Sequence, residues 1–502
     1  METNWDVIVV GGGGSGLAAA LSAAQQGGQV LLLEKRPQLG GTTGIAVGSF
    51  TAAGTNLQQQ VGIDDHSRQH VEDVARFAKP EIESRNNDAL RTFFLEEAAE
   101  TFHWLQKLGL SFVGPHPEPP NRVPRMHNVV PGAKAYIAAF QLALQKTSCQ
   151  LVCDAQVTEL LFEQGCVVGV QADVDNIPHT FTARRGVILA AGDYSNSNEL
   201  IGRHKGETFT RIEGINPHAT GAGHQLATQA GGQLVNMDVT YGPELRFVPS
   251  SRKPFQQWLP TSGFRARLVG MVARRLPAWC LRRFIKRLLV TWQHPEDQLF
   301  HDGAILVNLQ GKRFVNETCW PERELAVAAQ ENKSAYILMD GRLAKRYSAW
   351  PHFISTAPDI AYAYVADYQR LRPDITRQAD GLKQLALSRD IPVAALVNTV
   401  AEFNRYTQQQ QDDPHGRQGD AAPLQEGPWL LLGPLKAYFT TTEGGAAVNH
   451  QLQVLDKQEQ PIPGLYAVGQ NGSGGMILWS HGLHIAWALT SGRLAGRAVM
   501  LG

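Results

Sequence analysis

The stretch Asp6-Val-Ile-Val-Val-Gly-Gly-Gly-Gly-Ser-Gly16 decides the fold of this chain, because an apolar run leads directly into regularly spaced glycines. Residues 6–10 predict a β-strand, and the glycines that follow predict a tight turn and the start of a helix. Gly11 permits the turn, Gly13 lets the backbone approach a phosphate group, and Gly16 lets the helix pack closely on the strand.

A second strand and an acidic residue complete this pattern. The helix of small residues after Gly16 ends at Gly27-Gly28, and Gln29–Leu33 predicts the next strand. Glu34 closes that strand, where a carboxylate accepts hydrogen bonds from an adenosine ribose. The N-terminus of the helix faces the phosphates with its unpaired N–H groups. This order of a strand, a helix, a second strand and an acidic residue predicts a site that binds a dinucleotide.

The composition is that of a soluble enzyme and narrows the class of partner. The 502 residues exceed one typical core, so we expect two domains. The 46 Lys and Arg residues balance 46 Asp and Glu residues, which argues against nucleic acid as the main partner. The five cysteines show no spacing typical of zinc or haem sites, so we expect free thiols in a reducing compartment and no metal. The early first strand leaves no room for a signal peptide, and no long apolar run occurs, so we expect a cytoplasmic protein.

Periodicity and turn residues place the remaining elements that matter for the site. An apolar stripe predicts a helix over 86–108, and a run ending in Ala-Ala-Gly predicts a buried strand over 185–193. Residues 304–317 predict a hairpin, with a turn at Gln310-Gly311. A helix is predicted over 391–410, and another from about 481 to 500 ends the chain.

The segment 244–296 differs from the rest in charge. No acidic residue lies between Glu244 and Glu296, whereas lysines and arginines are frequent there. The pattern of residues 281–292 predicts a basic amphipathic helix, which is typical of helices that lie on an anionic membrane. A helix that packs on its own domain with its arginines in water has the same pattern. Both interpretations stay open.

At this point the chain resembles the flavoprotein family of fumarate reductase, succinate dehydrogenase and 3-ketosteroid dehydrogenase. The resemblance implies an α/β fold with a Rossmann-like FAD-binding domain, built from 1–235 and 431–502. It implies that a capping domain of α+β type, 236–430, is inserted between them and carries the basic insertion 252–292. Four segments carry the match, namely 9–16 with Glu34-Lys35, 40–43, 303–317 and 461–469.

The cofactor that the resemblance implies is FAD. Relatives that tether FAD use a histidine in the N-terminal part of the chain, and no histidine precedes His66 here, so the flavin is expected to be non-covalent. Gln470 occupies the position where this family contacts the ribityl chain. The residues expected to contact FAD are Gly11, Gly13, Gly14, Ser15, Gly16, Glu34, Lys35, Gly41, Thr42, Thr43, Val157, Ala191, Gly192, Gly469, Gln470 and Leu483.

Three segments depart from the fumarate reductase pattern. The stretch 238–244 lacks the histidine of a His-Pro-Thr segment, and Thr440-Thr441 replaces a pair of histidines. His481 stands where those enzymes have an arginine. A dicarboxylate with unmatched charges in a closed site would lose several kcal/mol of binding, so fumarate and succinate are not expected substrates.

The resemblance implies a two-electron exchange at a CH–CH bond next to a carbonyl group. A hydride passes between the substrate and the flavin, and a side chain moves a proton at the neighbouring carbon. The candidates for the proton and carbonyl chemistry are Arg323, Tyr241 and His481. His481 is expected to be neutral, because it stands at a predicted helix N-terminus.

The expected substrate is a small hydrophobic carbonyl compound. The apolar loop 476–479 is predicted to sit over the flavin, and the basic segment 265–292 suggests peripheral contact with a membrane. Together they predict desaturation of a cyclic ketone such as a 3-ketosteroid. Two alternatives stay open, namely reduction of an activated alkene and a membrane-docked flavoprotein that only carries electrons. The electron partner is unknown.

Overall fold

A computed structural model gives the architecture of the chain. It describes residues 3–250, 293–357, 360–409, 412–418 and 421–502, together with positions 259, 269, 272, 286, 287 and 289–291. The fold is built around two large sheets and two large hydrophobic clusters.

The glycine-rich segment lies at the centre of the first sheet. Its strand, Asn4–Val10, pairs in parallel with Val30–Leu33 on one side and Ile177–Leu189 on the other. The helix Gly14–Gln25 follows, and every residue of it except Gln25 is buried. It packs on the C-terminal helix Leu483–Leu501. The two helices approach closely because the C-terminal helix carries glycines at the contact.

The first sheet joins both ends of the chain. Residues 465–467 of the strand Pro461–Ala467 pair in parallel with residues 187–189. In this way an element from the C-terminal end lies beside an N-terminal one, as the parallel arrangement of a doubly wound sheet allows. The strand order from one edge is Gln453–Leu455, Pro461–Ala467, Ile177–Leu189, Asn4–Val10, Val30–Leu33 and Gln150–Val152, with Cys166–Val174 and Ala155–Glu163 added beside Ile177–Leu189.

The second sheet is built around the long strand Trp429–Phe439. This strand pairs antiparallel with Glu244–Phe247, Ala335–Met339 and Thr376–Ala379, and in parallel with Glu213–Gly214. Apolar side chains of these strands form much of the second hydrophobic cluster. The residues of this cluster lie within 194–212 and 237–439. The domain limits predicted from the sequence stay a prediction.

The remaining elements are short and surround the two sheets. The other strands are Ser49–Thr51, Ser111–His116, Met126–Val130, Leu234–Val235, Thr240–Tyr241, Ile305–Val307, Ser355–Ala357, Ala361–Ala363, Thr441–Thr442 and Gly445–Ala446. The other helices are Gly41–Ile45, Asn56–Gln60, Ser67–Val74, Pro80–Glu83, Asp88–Lys107, Lys134–Leu144, Asn198–His204, Ala222–Gln229, Asp297–His301, Glu322–Ala328, Gly341–Arg346, Val365–Leu371, Leu382–Leu387 and Val393–Gln409. Single 3₁₀ turns are Glu207–Arg211, Glu331–Lys333 and Gly469–Gly472.

The hairpin predicted over 304–317 is wrong in its second half. Ile305–Val307 is a strand, but its partner is Ala335–Met339 rather than the residues after Gly311. In that second half, Arg313 forms an ion pair with the buried Glu317, with Nη2 and Oε2 2.8 Å apart. The Glu317 Oε1 also accepts a hydrogen bond from the Leu306 N–H at 3.1 Å, so a side chain bonds the first strand where the hairpin would have placed the backbone of a second.

Most of the basic segment, 252–292, lies outside the described residues. Within the described part, the Lys286 Nζ lies 2.7 Å from Asp367 Oδ2, and Leu289 and Val290 are buried in the second cluster. Those contacts belong to a helix that packs on its own chain. Membrane contact through 265–292 stays a prediction. Among the helices that the structure describes, none has both the length and the apolar composition needed to span a bilayer.

We expect Arg125→Met to lower the free energy of unfolding by about 3–5 kcal/mol, because it strands buried carboxylates. The Arg125 side chain is wholly buried, and its Nε lies 2.7 Å from Asp65 Oδ2 and its Nη1 2.5 Å from Asp73 Oδ2. Urea unfolding followed by circular dichroism measures the change.

The control for this substitution is Arg184→Met. Arg184 pairs with Asp6 at the surface, where its side chain is 61% exposed. Exposed pairs contribute about 0–1 kcal/mol, so this variant should stay close to the parent protein. A loss in Arg125→Met no larger than in the control would contradict the buried network.

Candidate active site

A cavity of about 1020 Å³ connects the glycine-rich turn with a cluster of polar side chains. Gly11, Gly13 and Glu34 line one end, and Tyr241 and His481 line the other. The first end lies at the carboxyl edge of the parallel strands, which is where doubly wound sheets bind ligands.

The glycine-rich turn presents open backbone to the cavity. Gly13 precedes the helix Gly14–Gln25 in extended conformation, and no described side chain caps the helix there. A Cβ atom at Gly13 would meet nothing closer than the Gly41 Cα, at 3.9 Å. The first N–H groups of the helix therefore stay available to an anion, as phosphate sites at helix N-termini require.

Glu34 is fixed beside this turn. Its Oε2 accepts a hydrogen bond from the Gly12 N–H at 2.7 Å, and its Oε1 accepts one from the Arg36 N–H at 2.9 Å. A carboxylate has about four acceptor positions, so Glu34 can still accept from the hydroxyls of a ribose. Contact of Glu34 with a ribose stays a prediction.

Lys35 follows the strand Val30–Leu33 and Glu34, and it forms hydrogen bonds with the opposite wall of the cavity. Its Nζ donates to the His218 carbonyl oxygen at 2.8 Å and to Thr220 Oγ1 at 2.9 Å. Burial lowers the pKa of Lys35, and the charge of Glu34 partly offsets this effect. Asn216 in the same wall donates to Thr42 Oγ1 at 2.9 Å. No motif in the sequence marks this wall, so its residues were missed.

Gln470 tests whether the cavity fits FAD. Its Nε2 donates to the Thr442 carbonyl oxygen at 2.5 Å, while its Oε1 is buried and has no hydrogen-bond partner among the described residues. A buried acceptor without a partner costs about 1–3 kcal/mol. Because Gln470 lines the cavity, a ribityl hydroxyl would satisfy this oxygen. The residues present therefore fit the cofactor that the resemblance implies.

Most of the residues expected to contact FAD face the cavity. Gly16, Gly469 and Leu483 do not line it. Gly16 and Gly469 lie at close backbone contacts behind the cavity, and Leu483 is fully buried. Direct contact of these three with the cofactor stays a prediction. The residues that do line it are Gly11, Gly13, Gly14, Ser15, Glu34, Lys35, Gly41, Thr42, Thr43, Val157, Ala191, Gly192 and Gln470.

The other end of the cavity brings together two of the three predicted catalytic residues. Tyr241 and His481 line it, and Arg323 does not. The Arg323 Nη2 lies 2.6 Å from Glu324 Oε1, and its Nη1 lies 2.8 Å from Asp297 Oδ1. These carboxylates hold the Arg323 guanidinium outside the cavity, away from the space that a substrate would occupy. The catalytic role of Arg323 stays a prediction.

Tyr241 offers a protonated phenol to the cavity. It lies on the short strand Thr240–Tyr241, and its ring packs edge-on against Trp479, with centroids 5.9 Å apart. Burial, followed by the charges of Glu244 and Glu118, raises the pKa of Tyr241 well above its usual value. No described residue forms a hydrogen bond with its hydroxyl group. The phenol therefore stays protonated and is available to a ligand.

His481 is held by Glu118, which the sequence did not reveal. The Glu118 Oε1 lies 2.6 Å from His481 Nδ1 and accepts the His481 backbone N–H at 2.7 Å. Burial opposes the charged imidazole, but the hydrogen bond and charge of Glu118 outweigh it and raise the pKa of His481. The expectation of a neutral His481 is wrong, because a carboxylate distant in the chain outweighs the effect of the helix N-terminus.

Two further ion pairs border this end. The His484 Nε2 lies 2.8 Å from Glu443 Oε1, and the Arg246 Nη2 lies 2.8 Å from Glu244 Oε2. His294 also faces Glu244, at 3.9 Å. The sequence offered no signal for Arg246 or His294, because both lie at the edges of the basic segment and match no motif.

The expectation that loop 476–479 forms an apolar wall over the flavin is wrong. Met476, Ile477 and Leu478 are almost completely buried in the hydrophobic clusters and none of them lines the cavity. The loop is anchored to the neighbouring helix start, where the Ile477 N–H donates to Asn86 Oδ1 at 2.9 Å. The part of the chain that lines the cavity starts instead with Ser480 and His481.

Comparison with known proteins gives matches along the whole chain. A family model described as "FAD binding domain" matches residues 6–267 and 284–482. A "Probable fumarate reductase" of Shewanella frigidimarina is 26% identical over 475 residues, covering 93% of this chain and 70% of that protein.

Two solved structures show the same architecture. The open conformation of a flavocytochrome c3 fumarate reductase covers 100% of this chain and 78% of that chain, at 25% identity and a TM-score of 0.73. A 3-ketosteroid delta1-dehydrogenase from Sterolibacterium denitrificans covers 100% of both chains at 18% identity and a TM-score of 0.64, which establishes a shared fold.

Proposed function

Because this chain belongs to the FAD binding domain family, we propose that it uses FAD to reduce a carbon–carbon double bond conjugated to a carbonyl group. The family confirms the predicted flavoprotein fold, FAD as the cofactor and the class of FAD-dependent oxidoreductase. That FAD is held without a covalent bond stays a prediction. When bound, FAD supplies the hydride for such a reaction.

The observation that carries this proposal is the protonated phenol of Tyr241 in the cavity. Reduction adds a hydride to the carbon β to the carbonyl and a proton to the α carbon. A raised pKa makes the phenol a weaker acid but keeps it protonated at neutral pH, which is the state that a proton donor needs, whereas the reverse reaction needs the phenolate. We assign proton donation at the α carbon to Tyr241.

His481 is the second residue in this proposal. Its Nδ1 is bonded to Glu118, so its Nε2 is the ring nitrogen left to face a ligand. An N–H donor directed at the carbonyl oxygen stabilises the negative charge that develops there after hydride transfer. Glu118 fixes the orientation of the imidazole, as the carboxylate partner of a catalytic histidine does in general.

Dehydrogenation of a hydrophobic cyclic ketone, such as a 3-ketosteroid, is the weaker candidate. It depended on an apolar wall formed by loop 476–479, and these residues do not line the cavity. It also needs a proton acceptor where the structure has a protonated phenol. The similarity to a protein named as a fumarate reductase supports the reductive direction as well. A role as electron carrier without its own substrate has no observation in its favour.

We expect the anaerobically reduced holoprotein to be reoxidised by conjugated alkenes. Cyclohexenone, cinnamamide and methyl crotonate should restore the absorbance of oxidised flavin with formation of the saturated product, whereas cyclohexene should not, because its double bond lacks a carbonyl group. Stopped-flow absorbance and product analysis provide the measurement. The opposite pattern, bleaching of the oxidised protein by saturated cyclic ketones with no reoxidation by any conjugated alkene, would replace this proposal with the dehydrogenase.

A further inference from the structure

We propose that the carbonyl group of the substrate is uncharged, a ketone, ester or amide rather than a carboxylate, and that Glu118 is the residue that sets this specificity. The inference rests on the proposed function, since it concerns the group that activates the double bond. It follows from how the cations at the reacting end of the cavity are already paired.

Three cationic side chains that the structure describes at this end each have a carboxylate partner. Arg246 pairs with Glu244 at 2.8 Å, and His481 pairs with Glu118 at 2.6 Å. Behind them, His484 pairs with Glu443, again at 2.8 Å. A carboxylate ligand would compete with one of these carboxylates for its partner, and would meet the others as like charges.

Among the residues that the structure describes at this end, the charge balance leaves no spare cation for an anionic ligand. Three carboxylates face one arginine and three histidines, so the formal charge is −2 when the histidines are neutral. It reaches zero only when His481 and His484 both carry a proton. Burial lowers the pKa of His294, which therefore adds no charge at neutral pH. An ionised carboxylate placed here without a free partner loses its hydration and gains little in return.

Glu118 holds His481, which is the most exposed of the cationic side chains described at this end. The His481 side chain is 51% exposed, whereas those of Arg246 and His484 are 16% and 24% exposed. Glu118 is 6% exposed and is fixed by a third contact, since Ser480 Oγ donates to its Oε2 at 2.7 Å. Removing its charge while keeping its shape would take away a like charge and lower the pKa of His481, so that an anionic ligand could bind together with a proton and replace Glu118 as the partner of the imidazolium. Glu118 is thus a specificity-determining and positioning residue, and His481 makes the contact.

The test compares two ligands of nearly equal shape. Cinnamamide and cinnamate differ mainly in the charge of the carbonyl group, and their dissociation constants for the oxidised holoprotein can be measured by calorimetry at pH 7. We expect the wild-type protein to bind cinnamamide at least tenfold more tightly than cinnamate. Glu118→Gln should bring this ratio down at least tenfold, through tighter binding of cinnamate. Glu100→Gln, which removes an exposed carboxylate paired with Arg493 outside the cavity, should leave the ratio unchanged.

Two further readouts separate a specificity role from a structural one. In Glu118→Gln the affinity for cinnamate should fall as pH rises, because the imidazolium of His481 loses its proton. Nearby Glu244 and Tyr241 do not reproduce this effect, since the carboxylate keeps its charge and the phenol stays protonated over the range from pH 6 to 8. His294 and His484 also face this end, and the double variant that follows separates their contribution from that of His481. Adding His481→Gln to Glu118→Gln should abolish the gain.

The outcomes are distinct for this inference and for the proposed reaction. Equal or tighter binding of cinnamate by the wild-type protein, absence of binding by cinnamamide and by methyl cinnamate, or an unchanged ratio in Glu118→Gln would each overturn the inference. The wild-type ratio decides the matter even if Glu118→Gln does not fold. The protein could bind the amide selectively and yet fail to reduce any conjugated alkene. That result would contradict the proposed reaction but not the inference about charge.

Discussion

Tyr241→Phe is expected to lower kcat for alkene reduction by about 10²–10⁴-fold, the usual contribution of a general acid. The substitution removes the hydroxyl group and keeps the ring, so its edge contact with Trp479 and its contact with His484, at 6.1 Å between centroids, should persist. Because packing is retained, KM and the affinity for FAD should change little. The loss belongs to proton transfer and not to binding.

Stopped-flow measurement on the reduced holoprotein locates this loss. Reduction of the flavin by dithionite should be unaffected in Tyr241→Phe, whereas reoxidation by cyclohexenone should be slow. Tyr438→Phe is the matched control, because Tyr438 lies on the strand Trp429–Phe439 and does not line the cavity. If Tyr241→Phe keeps a kcat close to that of the control, the proton comes from another residue, and a variant of Arg323 becomes the next to measure.

Gly13→Ala and Gly16→Ala are expected to fail in different ways although they lie three positions apart. A Cβ atom at Gly16 would be 1.9 Å from the Gly11 carbonyl oxygen, so the helix could not keep its contact with the turn. We expect a loss of more than about 4 kcal/mol and little folded protein. At Gly13 the backbone suits alanine, with φ −76°, and the nearest atom to a Cβ would be 3.9 Å away.

Gly13→Ala should therefore fold but bind FAD poorly. Its methyl group would occupy the space through which a phosphate approaches the turn. Hydrogen bonds to charged groups contribute about 1.5–3 kcal/mol each, so the loss of one or two lowers the affinity for FAD by at least about tenfold. Flavin content after purification and circular dichroism of the apoprotein measure the two effects separately.

Gly381→Ala serves as the control for both glycine variants. Gly381 has an ordinary φ of −130°, and nothing lies within 4 Å of a Cβ built there. This variant should retain both its fold and its bound flavin. A Gly13→Ala protein with the flavin content of the control would show that the phosphates lie elsewhere, and a stable Gly16→Ala protein would contradict the close packing of helix and strand.

Patterns within short stretches of the chain predicted most of the first sheet and its cofactor end. The strand, turn and helix around Gly11 follow from consecutive residues, and the structure places them as Asn4–Val10 and Gly14–Gln25. The helix predicted over 86–108 is Asp88–Lys107, and the one predicted over 391–410 is Val393–Gln409. Such elements are predictable because their periodicity and end signals lie within the element itself.

Errors arose where a segment depends on a distant partner. Ile305–Val307 was predicted to pair within a hairpin, yet it pairs with Ala335–Met339. The loop 476–479 was predicted to face the cofactor because it is apolar, yet its side chains enter the hydrophobic clusters. Apolar composition indicates burial, and it does not indicate whether the burying surface is a core or a ligand.

The cofactor end of this protein can be read from the order of its residues, because backbone groups of a few consecutive positions form the turn that receives a dinucleotide. The reacting end cannot. Glu118 and His481 are 363 positions apart, and only the folded chain shows that they are in contact. Since the charge of an imidazole depends on what lies within a few ångströms of it, the chemistry at that end is a property of the assembled fold.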